Sequence, residues 1–76
     1  MASRTEALAI QLIRVLYDAT DGKPTQWRPL GSLNVPEMPG AVQYALSRGW
    51  LMVEDGHRVC LTDAGWLLNI ATRVEN

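Results

Sequence analysis

This 76-residue chain contains little cysteine and little histidine, and its net charge is close to zero. Each of these shortages excludes a class of function. One cysteine and one histidine cannot supply the three or four ligands of a zinc site. Seven basic and eight acidic residues give a net charge of −1, which disfavours a chain that coats nucleic acid or anionic lipid. We therefore expect no metal and no cofactor.

Long apolar runs are also missing. The apolar stretches are only a few residues long, far below the roughly 20 that span a bilayer. The N-terminus lacks the continuous hydrophobic region of a secretory signal. Cys60 has no second cysteine to pair with, which suits a reducing compartment. These absences predict one small cytoplasmic domain over residues 1–76 that does not enter a membrane.

Catalytic combinations are equally sparse. His57 and Cys60 are close in sequence, but strand alternation sends their side chains to opposite faces, so they cannot act as base and nucleophile. No glycine-rich phosphate loop is present. We expect a protein that is not an enzyme.

The first clear element is a helix over about residues 4–20. Ser3 and Glu6 have the spacing of a capping box, and Asp21-Gly22 is a typical left-handed stop. Its expected core stripe is Leu8, Leu12, Val15, Leu16 and Ala19.

The middle of the chain predicts a short strand and a second long helix. Gln26–Arg28 is the candidate strand, and Pro29 is placed to open a helical turn. The helix runs from Pro39 to Arg48 and ends at Gly49. Its expected buried face is Ala41, Val42, Ala45 and Leu46.

A hairpin and a last helix complete the pattern. Asp55-Gly56 between two apolar runs predicts a two-residue turn that pairs Met52 with Val59 and Trp50 with Leu61 on the core face. Thr62 is the predicted N-cap of a helix from Asp63 to about Arg73. The expected core face of that helix is Ala64, Leu67, Leu68 and Ala71.

One stretch resembles a known family. In Ala41–Leu68 a helix ends in Arg48-Gly49, a hairpin follows, and Leu61-Thr62-Asp63-Ala64-Gly65 opens the next helix. This order resembles the winged helix-turn-helix domains of MarR-like bacterial transcription regulators. The resemblance implies an α+β, mostly α fold: a three-helix core, a β-hairpin wing with a two-residue turn, and a C-terminal helix.

The resemblance also implies a function, namely DNA binding in a prokaryotic transcription regulator. The exposed face of the predicted helix Pro39–Arg48 would meet the duplex. Gln side chains hydrogen-bond the edges of adenine, and Ser, Tyr and Arg side chains suit phosphate oxygens. The residues expected at double-stranded DNA are Gln43, Tyr44, Ser47, Arg48 and Arg58. The near-zero charge implies weak binding by the domain alone.

The alternative hypothesis is a protein-interaction module on the same scaffold that does not bind nucleic acid. It is motivated by the acidic residues Glu54 and Asp55 at the hairpin turn and by the short segment that stands in for the second helix of the family.

A partner surface is also expected, because the first and last helices carry more apolar residues than one core face needs. The alternative is that Trp27 and the segment Lys23–Met38 cover both helices within the same chain. We predict a homodimer through Ile10, Ile13, Tyr17, Trp66 and Ile70.

Overall fold

Helices and short strands alternate along the chain in this computed structural model, which describes residues 3–23, 26–33, 35 and 37–74. The elements are α1 (Arg4–Ala19), β1 (Trp27–Pro29), a 3₁₀ helix (Leu30–Ser32), α2 (Met38–Ser47), β2 (Leu51–Glu54), β3 (Arg58–Leu61) and α3 (Asp63–Val74). The strands form one antiparallel sheet in the order β1-β3-β2. The architecture is α+β and mostly helical.

Both ends of α1 follow the local signals in the sequence. The Ser3 hydroxyl accepts a hydrogen bond from the Glu6 amide at 3.0 Å, as an N-cap should. At the other end the Gly22 amide donates to the Tyr17 carbonyl at 2.8 Å, while Asp21 and Gly22 adopt φ values of 53° and 74°. The predicted helix and its left-handed stop are confirmed.

The buried face of α1 is displaced around the helix from the predicted stripe. The buried residues of the helix are Ala9, Leu12, Ile13 and Leu16. Leu8 and Val15 are only half-buried, and Ala19 is exposed. The reason is that α1 packs against α2, α3 and β3 together, so its apolar arc is covered from several directions.

The hairpin turn has the predicted left-handed residues at Asp55 and Gly56, but it contains three residues instead of the predicted two, and the strands pair one residue out of the predicted register. Asp55 and Gly56 have φ values of 57° and 72°, and the His57 amide donates to the Glu54 carbonyl at 3.3 Å. His57 is then left outside the ladder, and Glu54 lies opposite Arg58. The predicted pairing of Met52 with Val59 and Trp50 with Leu61 is therefore wrong.

This shift by one residue turns β2 over, because side chains alternate between faces. Leu51 pairs with Leu61 and Val53 with Val59, which puts these four residues on one face. Leu51, Val59 and Leu61 are buried in the core, whereas the Met52 side chain is 48% exposed.

Helix α2 is rotated relative to its predicted orientation. Ala41 and Ala45 are buried as expected, and their small side chains let α2 lie close to α1. Leu46, expected in the core, is 45% exposed. Tyr44, expected in solvent, is half-buried and packs against the core.

Helix α3 is also rotated relative to its predicted orientation. Among the residues of α3 up to Ala71, Gly65 and Asn69 are buried, and Trp66 and Leu68 pack against the core. Leu67 is 59% exposed, and Ala64 and Ala71 are also exposed, so the predicted core face of α3 is largely wrong.

The end of α2 meets the start of α3 at four residues that we call the junction: Gly49, Trp50, Thr62 and Gly65. The Trp50 amide donates to the Ala45 carbonyl at 2.9 Å, and Gly49 has φ 75°, which is the Schellman arrangement. The Thr62 hydroxyl caps the Gly65 amide at 3.1 Å and donates to the Gly49 carbonyl. A Cβ on Gly65 would lie 2.0 Å from the Trp50 carbonyl oxygen, so this position requires glycine.

Candidate functional site

The exposed face of α2 is the first part of the candidate site. Gln43, Leu46 and Ser47 are exposed on it, and Arg48 follows at the end of the helix. The Ser47 hydroxyl donates to the Tyr44 carbonyl at 2.7 Å, so its hydrogen is already committed to the helix backbone. Gln43 makes no side-chain hydrogen bond to any described residue. Its amide is therefore the polar group that this face presents to a ligand.

Tyr44 lies beside that face and is half-buried, whereas the sequence predicts an exposed side chain. Its hydroxyl donates to the Glu6 carboxylate on α1 at 2.6 Å. Its ring centroid lies 5.8 Å from that of Trp50, with the two planes tilted by 50°. Tyr44 thus connects α2 to α1 and to the residue that precedes β2.

Arg48 is exposed but lies against Tyr44. Its Nη2 donates to the Tyr44 hydroxyl at 3.1 Å, and its Cζ is 5.3 Å from the ring centroid, within cation–π range. The hydrogen bond to Tyr44 is the main cause that raises the pKa of Arg48, and the Glu6 carboxylate adds to it. The guanidinium is thus exposed at the end of α2, with the Tyr44 hydroxyl and ring beside it.

The hairpin tip, which we define as Glu54–Arg58, is the second part of the candidate site. Arg58 forms an ion pair with Glu54, directly opposite it in the sheet, and a second with Asp55 at 3.3 Å. All three side chains are substantially exposed. The Asp55 carbonyl also contacts Nδ1 of His57 at 2.8 Å. The hairpin tip therefore presents a neutralised arginine.

Two further arginines are also engaged. Arg4 pairs with Glu37, at the start of α2, over 2.6 Å. Arg28 donates to the Ala19 carbonyl at 3.1 Å, where a cation complements the negative end of the helix dipole. The positive charge around α2 and the hairpin is thus distributed among internal partners, which lowers the attraction for an anionic ligand.

The residues of the predicted dimer surface fall into two groups. Ile13 is wholly buried within the chain, so it is unable to contact a second copy and is removed from that surface. Ile10 and Ile70 are half-buried, and Tyr17 and Trp66 are half-buried and packed against the core. Ile13 is buried because its side of α1 is covered by the other elements of the same chain.

Reactive and metal-binding groups do not converge in the structure. Cys60 is buried, and that burial raises the pKa of its thiol. His57 is exposed in the turn. Among the described residues, no group of three or more His, Cys, Asp and Glu side chains is placed to hold a metal ion. In the same part of the chain, no helix combines the length and apolar character needed to cross a bilayer.

Three exposed apolar side chains and one acidic residue were missed by the sequence reasoning. Leu46, Met52 and Leu67 were assigned to the core, and Glu6 only to capping. A helical pattern with apolar residues on more than one side does not reveal which side faces inward.

Comparisons of the chain with protein-family models, with curated proteins and with solved structures find no match.

Proposed function

We propose that this chain is a winged-helix domain of a cytoplasmic prokaryotic transcription regulator and that it binds duplex DNA through α2 and the hairpin. The observation that carries the proposal is the order of elements. A helix with an exposed polar face ends in Arg48-Gly49 and leads directly into an antiparallel hairpin whose second strand is central in a β1-β3-β2 sheet. This order is compatible with the motif resemblance, with the difference that a 3₁₀ helix over Leu30–Ser32 stands where the predicted three-helix core has its second helix.

The polar groups of α2 suit a duplex in part. The Gln43 amide has the donor and acceptor pair that reads adenine in the major groove. Arg48 has the charge and geometry for a phosphate oxygen. Leu46, one turn from Gln43 on the side away from Ser47, would contact a thymine methyl group.

Binding by one copy is expected to be weak. Arg58 and Arg4 already have carboxylate partners. Exposed ion pairs contribute only about 0–1 kcal/mol, so phosphates can compete with the carboxylates for these arginines. The carboxylates stay nearby, however, so the net positive charge that attracts the phosphates is small. We therefore expect a dissociation constant at the weak end of nonspecific binding, roughly 10⁻⁴ M at physiological salt.

A fluorescence anisotropy titration with a labelled mixed-sequence duplex tests the proposal at about 50 and 200 mM salt. We expect saturable binding at the lower salt and a clear loss of affinity at the higher. Arg48→Gln should weaken binding, whereas Arg14→Gln, the same charge change on the exposed side of α1, should not. A titration without binding at low salt rejects DNA as the ligand.

The second candidate function is a protein-interaction module, and the exposure of Leu46 favours it. A leucine that is 45% exposed beside Gln43, at one edge of the candidate face, suits an apolar contact. The hairpin tip, in which two carboxylates surround one guanidinium, fits this function equally well. Leu46→Asp should then abolish binding of the partner, while Leu67→Asp, on a different helix, should preserve it. If both variants behave alike, the α2 face is not the docking surface.

A homodimer through Ile10, Tyr17, Trp66 and Ile70 remains a proposal for either function. It would place two α2 faces in one particle and so double a weak contact with DNA. Sedimentation equilibrium over about 10–200 µM tests it, because association depends on concentration. A mass of 8.4 kDa at every concentration rejects the dimer.

A further inference from the structure

Tyr44 is the centre of a three-residue chain that joins two helices. Its hydroxyl is 2.6 Å from the Glu6 carboxylate on α1 and 3.1 Å from Nη2 of Arg48 at the end of α2. Glu6 and Tyr44 are half-buried, whereas Arg48 is exposed. The two hydrogen bonds therefore connect the half-buried Glu6 on α1 to the end of the exposed α2 face.

The directions of these hydrogen bonds follow from the groups themselves. An ionised carboxylate only accepts, and a guanidinium only donates. The Tyr44 hydroxyl must therefore give its hydrogen to Glu6 and accept one from Arg48. Each bond polarises the hydroxyl in the direction that strengthens the other.

We propose that Tyr44 is a positioning residue that holds the guanidinium of Arg48 where it meets a phosphate oxygen of bound DNA, with Glu6 fixing the orientation of the Tyr44 hydroxyl. This inference rests on the proposed DNA binding. It assigns Tyr44 a role behind the contact surface instead of on it, and it adds Glu6, which had only a capping role.

The geometry leaves Arg48 available for this contact. A guanidinium has five N–H donors, and the Tyr44 hydroxyl uses one. The ring of Tyr44, itself packed on Trp50, lies beside the guanidinium and limits its rotamers. A side chain that is ordered before binding loses less conformational entropy when it binds.

Glu6 also carries a cost for DNA binding. Its negative charge reaches Arg48 through Tyr44 and opposes the approach of a phosphate. Removing the charge and removing the hydroxyl should therefore change DNA affinity in opposite directions. A purely structural connection between α1 and α2 predicts no such opposition.

The decisive experiment is a double-mutant cycle of Tyr44→Phe and Arg48→Gln, read by DNA affinity as a function of salt. Phe keeps the ring and its contact with Trp50 but removes the hydroxyl. We expect Tyr44→Phe to weaken binding about fivefold, the scale of one exposed ionic contact. It should also reduce the salt slope by up to about 0.9, the value for one phosphate. In the Arg48→Gln background the same change should have no further effect.

Glu6→Gln should change DNA affinity in the direction opposite to Tyr44→Phe. Gln keeps an acceptor for the Tyr44 hydroxyl but removes the charge, so affinity should rise about two- to fivefold. Asp18→Asn, the same charge change elsewhere on α1, should have a smaller effect. A loss of affinity in Glu6→Gln, or a Tyr44→Phe effect that persists without Arg48, overturns the proposal.

A measurement on the free protein distinguishes a failure of the Tyr44 positioning role from a failure of DNA binding. If wild type does not bind DNA, the proposed function fails, and the phosphate contact fails with it. If wild type binds, NMR of the Arg48 Nε–H group in the absence of DNA measures the positioning. We expect a dispersed, slowly exchanging signal that moves to the position of a mobile arginine in Tyr44→Phe. An unchanged signal rejects Tyr44 as the positioning residue while DNA binding stands.

Discussion

The junction and the hairpin tip are joined by the same two strands but are stabilised in opposite ways. At the junction, backbone amides and carbonyls of Gly49 and Trp50 bond to neighbouring elements, and Gly65 lies against a carbonyl with no space for a side chain. At the hairpin tip, exposed side chains of Glu54 and Arg58 carry the contacts. The backbone contacts of the junction require one geometry, whereas the exposed ion pairs of the hairpin tip can form in several side-chain conformations.

This difference separates the residues that define the fold from those that can change a ligand preference. Close backbone contacts tolerate almost no substitution, since a small displacement creates a steric clash. Exposed ion pairs contribute little to stability and can exchange partners. Stability should therefore respond to the junction, and DNA affinity to the hairpin tip.

The largest effect is expected for Gly65→Ala. The new Cβ would lie 2.0 Å from the Trp50 oxygen and 2.8 Å from Cδ1 of Leu61, so the start of α3 has to move. We expect a loss of about 3 kcal/mol or more in the free energy of unfolding, measured by urea denaturation. Gly40→Ala is the control, because a Cβ at Gly40 meets nothing within 4 Å. The control should gain about 0.5 kcal/mol from its helix propensity. Equal losses at both positions would contradict the close contact.

Thr62→Ala should have an intermediate effect on stability. Its hydroxyl both caps α3 and donates to the Gly49 carbonyl, so two backbone groups lose their partner. We expect a loss of about 2 kcal/mol. Ser3→Ala removes a cap with one exposed hydrogen bond and should cost only about 0.5–1 kcal/mol. If Ser3→Ala proves the more damaging change, the junction is not the stronger of the two caps.

The double change Glu54→Gln with Asp55→Asn should leave stability within about 0.5 kcal/mol. Asn suits the left-handed conformation that Asp55 adopts at φ 57°. The same change makes Arg58 available to a phosphate, so affinity for duplex DNA should rise about two- to fivefold in the anisotropy titration. The further change Arg58→Gln should cancel this gain. A gain that survives without Arg58 would show that net charge alone is responsible.

The smallest effect concerns Cys60, which lies in the central strand between the two regions. Burial raises the pKa of its thiol above that of the unfolded chain. The unfolded state therefore releases this proton first, and stability should be constant below about pH 8 and fall above it. The decline should not exceed about 1.4 kcal/mol per pH unit. Cys60→Ala should remove this component of the pH dependence. Rapid labelling of Cys60 by a thiol reagent in the native protein would contradict its burial.

Local signals in the sequence were sufficient for the helices and the turn. Ser3, Asp21-Gly22, Gly49 and Thr62 are caps and stops whose effect depends on neighbouring residues, and each acts where the sequence places it. The dihedral angles of Asp55-Gly56 are likewise a local property. The chain order of helices and strands follows from these positions.

The candidate site was predicted only in part, because its geometry depends on contacts between distant residues. Gln43, Ser47, Arg48 and Arg58 are exposed as expected. Tyr44 is not, because its hydroxyl finds Glu6, 38 positions away in the chain. No local pattern indicates that pairing.

The sequence by itself therefore determined where the helices begin and end, where the chain turns, and the order of its elements. Capping and turn formation involve residues a few positions apart, so a short stretch contains the whole cause. The tertiary structure alone decided which side of α2 and α3 faces inward and how the hairpin strands pair. Those choices bury Leu51 in place of Met52, and they pack Tyr44 against the core in place of Leu46. They depend on how side chains from several elements fill one common interior, which no single element specifies.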